Sequence, residues 1–264
     1  MATSSEQKAW LVRIARFGYA AKGLVYTLVG ALALGAAFGT GQASDKQGAL
    51  ESLLAAPFGL FVLLAAVVGL VAYALWRFIQ AVLDTENDGA DASGVIKRGA
   101  YLVSGLGYLL LAGASGLSVF QRGSQGSGLG SEVRKAAYDL IAQPVGRFLV
   151  IGIGLVIIAV AFYQFYEAYR ASFRDELEGS LTWLVYFGRV GYASRGVIYL
   201  LIGSFFIRAG FDQNLAQAGG ISKALRTLEQ QPFGPWLLSA VAVGLMLFGL
   251  YTLLLAWYRQ FEFS

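Results

Sequence analysis

Two basic residues lie inside apolar segments of this chain, where a charge is chemically informative. Lys22 and Arg195 occupy equivalent positions of a repeated pattern, and Ser104 stands at that position in a third copy. An ionisable side chain within a membrane span marks a functional site by default, so both are candidates for contact with an anion or a lipid headgroup. The alternative is structural. Each lies about one turn beyond a tyrosine expected at the interface, so it can extend its charge there or form an ion pair with Glu167, which lies, like Arg77, near the inner end of a second span.

The inventory of reactive side chains is short. The 264-residue chain contains no cysteine and no histidine, which excludes disulfides, thiol nucleophiles, histidine-ligated haem, and zinc sites built from these residues. Acidic residues cluster in loops, and convergent carboxylates for catalysis are not visible. We therefore expect a protein that is not an enzyme, with no catalytic residue, cofactor or metal site. The net charge of +4 is modest and indicates membrane orientation and headgroup contact rather than nucleic-acid binding.

The hydrophobic pattern predicts an all-α integral membrane protein. Hydrophobic residues make up 57% of the chain and charged residues 14%, whereas a soluble domain has about a quarter charged residues. A helix needs about 20 apolar residues to cross a bilayer, and it keeps its backbone groups paired there. Six segments meet this requirement, at 17–39, 57–76, 99–120, 148–166, 190–209 and 232–258. The whole chain, 1–264, is predicted to form a single membrane domain.

An internal repeat organises these six segments. The starts "ARFGYAAKGLVY" (15–26), "KRGAYLVSGLGY" (97–108) and "GRVGYASRGVIY" (188–199) align, with separations of 82 and 91 residues between their first tyrosines. Each continues through a polar loop to a second pattern, "ALESLLAAPFG" (49–59), "AAYDLIAQPVG" (136–146) or "ALRTLEQQPFG" (224–234). These alignments predict three repeats, at about 15–84, 97–171 and 188–259. Because the first pattern recurs internally, its first copy is expected to be a retained span rather than a signal peptide.

A proline and a glycine close the second pattern of every repeat. We expect a short amphipathic helix at the interface before them, and a proline at the start of the second span, where its missing N–H needs no partner. These repeat-turn residues are Pro57, Gly59, Pro144, Gly146, Pro232 and Gly234. Two spans per repeat give every repeat the same orientation, which predicts three parallel hairpins in a pseudo-threefold bundle. The Gly/Ser-rich stretch 121–132 is expected to be a flexible external loop.

The distribution of lysine and arginine predicts the orientation. With the N-terminus inside, 12 of these residues flank the inner ends of the spans and 8 flank the outer ends. Positive charge is enriched on the cytoplasmic side of membrane proteins. Both termini are therefore predicted to be cytoplasmic.

Each repeat begins with a stripe of arginine, tyrosine and glycine. Spacings of three and four residues place the stripe on one helix face. Small residues let membrane helices approach closely, tyrosine hydroxyls can bond across the interface, and the arginines can reach headgroups or the carbonyls of a neighbouring hairpin. The stripe is predicted to be the packing seam of the bundle. Its members are Arg16, Tyr19, Gly23, Tyr26 and Gly30; Arg98, Tyr101, Gly105 and Tyr108, followed by Ala112; and Arg189, Tyr192, Gly196, Tyr199 and Gly203.

These motifs resemble the bacterial membrane proteins grouped as domain of unknown function 1206. The resemblance rests on the repeated AR-x-G-Y-x-x-x-G-x-x-Y start and the A-L-x-x-L-x-x-x-P-F-G pattern, and it extends from Ala15 to about Tyr258. The middle repeat departs from both, with "RGAY" and "PVG". The resemblance implies three tandem repeats of two membrane helices in a bacterial inner membrane. It implies no established activity.

Two classes of function are compatible with these features. The first is a non-enzymatic binding or scaffolding subunit, which would bind lipid, a membrane-protein partner or further copies of itself. The second is a small channel or transporter along the pseudo-threefold axis, in which Lys22 and Arg195 would favour anions. Membrane lipids are an expected partner in both cases.

Overall fold

The computed structural model describes residues 5–39, 59–85, 89, 91–120, 144–173 and 182–258. Within these ranges all regular structure is helical. The long helices are α1 (Ser5–Ala37), α2 (Gly59–Leu83), α3 (Ala92–Phe120), α4 (Pro144–Arg170), α5 (Thr182–Phe211) and α7 (Gly234–Tyr258). A 3-10 turn (Leu215–Gln217) and the short helix α6 (Ile221–Glu229) lie between α5 and α7.

Six helices in the described ranges are long and apolar enough to cross a membrane. These segments are Val12–Ala37, Leu63–Leu83, Gly94–Gly113, Val145–Arg170, Thr182–Phe211 and Gly234–Tyr258. The prediction of an all-helical chain with six apolar spans is confirmed for the described residues, by helix length and composition. Some helices extend beyond the predicted apolar runs, because the stretch on the other side of a charged residue can be apolar as well. For example, α5 begins at Thr182, well before the predicted start at residue 190.

First and second helices of the repeats alternate in space. Helix α1 packs against α2 and α7, α2 also packs against α3, and α5 packs against α4 and α7. The order of contact is therefore α3, α2, α1, α7, α5, α4. The two helices of the first repeat pack together, as do those of the third. Helices α3 and α4 of the middle repeat are not among the described pairs that pack extensively, and they form the two ends of the row.

The contacts between repeats use equivalent residues. The central glycine of each stripe faces a phenylalanine or leucine that stands 21 residues after the turn proline of another repeat. The pairs are Gly23 with Leu253, Gly105 with Phe78, and Gly196 with Phe165. The first helix of each repeat thus rests on the second helix of the preceding repeat in cyclic order, α1 on α7, α3 on α2 and α5 on α4.

Small residues also bring the two helices of a repeat together. A Cβ atom added at Gly18 would lie 2.5 Å from the Cα of Tyr73, and one added at Gly191 would lie 2.7 Å from the Cα of Phe248. Tyr73 and Phe248 are equivalent, since each stands 16 residues after its turn proline. One turn away, Gly244 of α7 faces Ser194 of α5 in the same close manner. A side chain at these positions would force the helix backbones apart.

The middle repeat carries larger residues at the same positions. Ala100 and Val103 stand where the other first helices have glycine and alanine or serine, and Val156 stands where the other second helices have glycine. Val103 is 74% exposed and Val156 is 64% exposed. The close approach that small residues permit is therefore lost, which gives a physical reason for the separation of α3 from α4.

The turn before the second span is described in the third repeat. Helix α6 buries Ala224, Leu225 and Leu228, and it packs against α5 and α7. Here the long helix begins at Gly234 rather than at Pro232. A Cβ atom at Gly234 would collide with the carbonyl oxygen of Glu229, so the turn needs glycine at this position.

The other repeat turns are described in part. Pro144 is the first described residue of α4, and Gly146 lies two residues after it. Gly59 begins α2. Pro57, the predicted short helices of the first two repeats and the loop 121–132 lie outside the described residues.

Candidate functional site

Lys22 and Arg195 converge on one aromatic ring. Lys22 Nζ lies 5.5 Å from the ring centroid of Phe248, and Arg195 Cζ lies 4.4 Å from it. They meet because α1 and α5 both pack against α7, so equivalent positions of two repeats face the same helix. We call these residues and the side chains around them the cation–tyrosine cluster. Its members are Lys22, Tyr26, Tyr73, Arg77, Tyr108, Tyr192, Arg195, Tyr199 and Phe248.

The second tyrosine of each stripe lies beside Arg195. Arg195 Nη2 donates a hydrogen bond of 2.9 Å to the hydroxyl of Tyr199, and Arg195 Cζ lies 5.4 Å from the ring centroid of Tyr26. Tyr108 interacts electrostatically with the same guanidinium. The three tyrosines come from α1, α3 and α5, one from each repeat. Equivalent residues of the three repeats therefore surround one cation.

Arg195 is held by aromatic rings and a hydroxyl rather than by a carboxylate. Among the residues that the structure describes, its partners are tyrosines and Phe248, and its Nε atom is buried without a hydrogen-bond partner. Glu167, the expected ion-pair partner, is buried on α4 but does not contact Arg195. Cation–π contacts are worth roughly 0.5–2 kcal/mol each, but they leave the guanidinium's net charge without a counter-ion. Buried charges are normally paired.

Arg195 lies near the middle of α5. It lies 13 residues after Thr182 and 16 before Phe211, which places it about 20 Å from the start of α5 at about 1.5 Å per residue. Its partner Tyr199 lies one turn further from Thr182. The membrane depth of Arg195, and with it the snorkelling interpretation, stays a prediction.

Lys22 is linked to a second cation through a tyrosine. It is 7% exposed, and its Nζ donates a hydrogen bond of 2.9 Å to the hydroxyl of Tyr73. Arg77 Nε donates to the same oxygen at 3.0 Å, and Arg77 Nη1 donates to Gln80 at 3.0 Å. One hydroxyl thus accepts from two basic side chains. This shared acceptor concentrates positive charge beside Phe248.

Two stripe arginines bind carbonyls at the ends of neighbouring helices. Arg98 Nε donates to the carbonyl of Ala81 at 2.7 Å, and Arg189 Nη2 donates to that of Tyr169 at 2.6 Å. The last carbonyls of a helix have no partner within the helix, so these bonds satisfy the C-terminal ends of α2 and α4. Arg16, the third member, is exposed.

The remaining stripe residues face neighbouring helices. Aromatic contacts join Tyr19 to Tyr73 at 5.4 Å, Tyr192 to Phe248 at 5.4 Å and Tyr108 to Tyr73 at 4.8 Å between ring centroids. Arg77 Cζ lies 4.9 Å from the ring centroid of Tyr101. The last glycines of the stripes, Gly30 and Gly203, face Ala242 and Gly154.

Sequence reasoning missed the second-helix side of the cluster. Tyr73 and Phe248 were not singled out, because neither belongs to the repeated start. Aligning the second helices on their turn prolines would have paired them, with Val160 as the third member. In the part of the chain that the structure describes, no group of three acidic residues could hold a metal ion.

Comparison with known proteins places the chain in a family. The model of the domain of unknown function DUF1206 matches three tandem regions, 17–84, 99–171 and 190–259. A Bacillus subtilis (strain 168) protein named "Uncharacterized protein YxxB" is 35% identical over 261 residues, which cover 97% of this chain and 94% of the relative. No solved structure matches. The three matched regions cover most of the chain, which therefore belongs to the DUF1206 family and consists of three tandem repeats.

Proposed function

We propose that this protein is a non-enzymatic membrane protein that binds an anion in the cation–tyrosine cluster. The anion is either the acidic headgroup of a lipid or a free anion such as phosphate. The observation that carries the proposal is the guanidinium of Arg195, whose described partners include no carboxylate and whose Nε is buried without a hydrogen bond. Arginine is well suited to such ligands, because its planar fork of donors matches carboxylate and phosphate oxygens.

The surroundings of Arg195 supply further donors and charge. The hydroxyl of Tyr199 accepts from Arg195, which leaves its own proton to donate to a second group. Lys22 brings another positive charge to the same ring of Phe248. A chain without histidine or cysteine offers little for catalysis, and binding is therefore the activity that we assign to this cluster.

We also propose that the three repeats form a pseudo-threefold bundle in the bacterial inner membrane. The cyclic contacts between repeats and the convergence of Tyr26, Tyr108 and Tyr199 on one cation support this symmetry. The apolar face of α6 is consistent with a helix at the interface. The bias of basic residues supports cytoplasmic termini. In the bundle the protein would act as a binding or scaffolding subunit, alone, as a homo-oligomer or with a membrane-protein partner, and without nucleic acid.

A second candidate is a channel or transporter that favours anions. It is favoured by the position of Arg195 near the middle of α5 and by Lys22 on the same side of the cluster. It is disfavoured by Tyr26 and Tyr73, which are 1% and 0% exposed and fill the space around these cations. Binding remains the better-supported function.

The test is anion binding by the purified protein in neutral phosphatidylcholine nanodiscs. The probes are inorganic phosphate for a free anion, and oleate and phosphatidylglycerol for acidic lipids. We expect at least one probe to bind, Arg195→Gln to weaken it at least tenfold, and Arg195→Lys to weaken it less. Arg208→Gln, at an exposed position of the same helix, should bind as the wild type does.

Each result selects among the alternatives. Binding of phosphate alone would assign a free anion, whereas binding of oleate or phosphatidylglycerol alone would assign a lipid. Anion flux into liposomes that is lost in Arg195→Gln would favour the channel. Equal binding of every probe by the wild type and Arg195→Gln would refute the proposed site.

A further inference from the structure

We infer that the ligand of the cation–tyrosine cluster is a single-tailed lipid acid, with its carboxylate at Arg195 and its hydrocarbon tail in the gap between α3 and α4. This inference rests on the proposed anion binding at Arg195. It adds the chemical class of the ligand and the route by which it enters from the bilayer. We call the space between the facing sides of α3 and α4 the α3–α4 gap.

The gap is a local departure from a repeated interface. In the first and third repeats, glycines at Gly18 and Gly191 bring the first helix against the second. The middle repeat has Ala100 in the equivalent position, and its two helices do not pack extensively in the described ranges. One of three equivalent interfaces is therefore open, while the other two exclude any third molecule.

The walls of the gap are apolar and open to a hydrocarbon chain. Val103 on α3 and Val156 and Val160 on α4 stand at the positions that close the other two repeats, and all three are exposed. A Cβ atom added at Gly107 or Gly152 would meet nothing within 4 Å, so space extends to the backbone on both sides. Such walls gain from contact with an acyl chain.

The gap leads to Arg195. Arg195 belongs to α5, which packs along α4, and its guanidinium interacts with Tyr108 of α3. The cation therefore interacts with one wall of the gap, α3, and its own helix packs along the other wall, α4. An apolar entrance with a cation at its inner end is complementary to a molecule with a hydrocarbon tail and an acidic head.

The depth of the cation favours a carboxylate with one tail over a phospholipid. Arg195 lies six residues beyond Arg189, which caps the neighbouring helix, and hence about 9 Å further along α5. A phosphodiester headgroup carries a polar substituent that would have to be buried at this depth among tyrosine rings. A carboxylate carries no such polar substituent, and its two oxygens can accept a pair of parallel hydrogen bonds from a guanidinium.

Charge complementarity also favours a lipid over a second protein chain. The helices of this protein meet through glycine and alanine, as at Gly23 and Gly249, whereas branched Val103 and Val156 project into the gap. A transmembrane helix would fit poorly against these valines and would bring no anion unless it carried an acidic residue. A second copy of this chain is therefore treated as an outcome of the test.

The experiment uses a photoreactive oleate analogue, labelled near its tail, with the full chain in neutral phosphatidylcholine nanodiscs. Mass spectrometry measures the labelled fraction and the labelled residues. We expect label on α3 and α4, and competition by oleate at least tenfold stronger than by oleyl alcohol, which has the same tail without the charge. Val103→Trp and Val156→Trp should each reduce labelling at least tenfold, because an indole fills the gap.

Matched controls come from the adjacent residues. Leu102 and Leu155 are also exposed, but each lies about 100° around its helix from the gap-facing valine. Leu102→Trp and Leu155→Trp should label within twofold of the wild type. A single symmetrical peak in size-exclusion chromatography for all four variants shows that loss of labelling does not reflect unfolding.

The failure of the inference differs from the failure of the proposed function. If Arg195→Gln loses labelling while Val103→Trp and Val156→Trp keep it, the anion site stands and the route through the gap is wrong. If Arg195→Gln keeps both labelling and anion binding, the proposed function fails and this inference fails with it. The wild type could instead be a dimer that dissociates in Val103→Trp while labelling stays unchanged. That result would assign the gap to a second copy of the chain and refute the proposal that a lipid occupies it.

Discussion

The glycine contacts between repeats predict that substitutions at different glycines will lower the stability by different amounts. A Cβ atom at Gly23 would lie 2.6 Å from the backbone nitrogen of Leu253 and 2.7 Å from the carbonyl oxygen of Gly249. Both are backbone atoms of α7, so neither can move without shifting the helix. In Gly23→Ala, α1 and α7 must separate by several tenths of an ångström. This separation weakens dispersion contacts along the whole interface, and no water-driven collapse compensates for them within a membrane.

The expected loss follows from two opposing terms. Overpacking a fitted interface costs about 1–3 kcal/mol, while replacing glycine by alanine within a helix returns about 0.5–1 kcal/mol. We therefore expect Gly23→Ala to lose about 1–2 kcal/mol. In a protein of this size, a loss of 1 kcal/mol lowers Tm by about 2–4 °C, so Tm should fall by about 2–8 °C.

Two other glycines complete the series. At Gly196 the nearest atom is Cε1 of the Phe165 ring, at 2.7 Å, and a ring can turn, so Gly196→Ala should lose less than Gly23→Ala. At Gly107 nothing lies within 4 Å, so Gly107→Ala should keep or raise Tm. The assay is tryptophan fluorescence during heating in detergent at one scan rate. Equal Tm values for Gly23→Ala and Gly107→Ala would refute the assigned contact between α1 and α7.

Three further changes have defined outcomes, each read as Tm in the same assay. Tyr73→Phe removes the hydroxyl that accepts from the buried Lys22 and the half-buried Arg77, and should cost about 1.5–3 kcal/mol, the usual contribution of a hydrogen bond to a charged group; an unchanged Tm would mean that these bonds contribute nothing. Gly234→Ala should destabilise strongly by collision with a backbone carbonyl, whereas Gly220→Ala, with nothing within 4 Å, should be silent. Gly196→Leu should lower Tm clearly and Leu201→Ile hardly at all, because the second change conserves volume; similar losses would argue against a tight seam.

The spans and repeats were predictable because their signals are local. Apolar run length decides whether a helix can cross a bilayer, and a triplicated pattern shows itself by alignment. The partner of each stripe glycine was not predictable in the same way. Gly23 and Gly105 carry the same motif, yet which helix each one meets depends on the order of six helices in space. That order follows from contacts between residues distant in sequence, which spacing alone does not specify.

The contacts of the first stripe tyrosines were not predictable from the sequence. The first tyrosine of each stripe was taken as an interfacial residue, which put Arg195 one turn inside the membrane, and this depth stays a prediction. Tyr192 packs against Phe248 and Phe173, and Phe173 follows the end of α4. Tyrosine is common at membrane interfaces but also suits helix contacts where its hydroxyl has a partner. Composition does not separate these two roles.

The middle repeat shows why equivalence in sequence does not guarantee equivalence in structure. One of its motif departures, "RGAY", contains Ala100 and so contributes to the separation of α3 from α4, whereas "PVG" does not. The relevant changes are Ala100, Val103 and Val156 in place of smaller residues. Each is conservative for a membrane helix and invisible to hydropathy. Their effect becomes apparent only when the other two repeats show which residues must touch.

The same repeat also breaks the charge symmetry of the cluster. Ser104 stands where the other repeats carry Lys22 and Arg195, so two cations rather than three face the centre. Like charges repel strongly in a medium of low dielectric constant, and a third cation would add two more repulsive pairs without adding a counter-ion. Helix α3 thus lacks the charge that α1 and α5 carry at this position, and it also forms one wall of the gap. A site with one open side can admit an anion from that side, and the anion would reduce the repulsion between the cations of the cluster. A symmetric bundle of three closed hairpins would offer no such entrance.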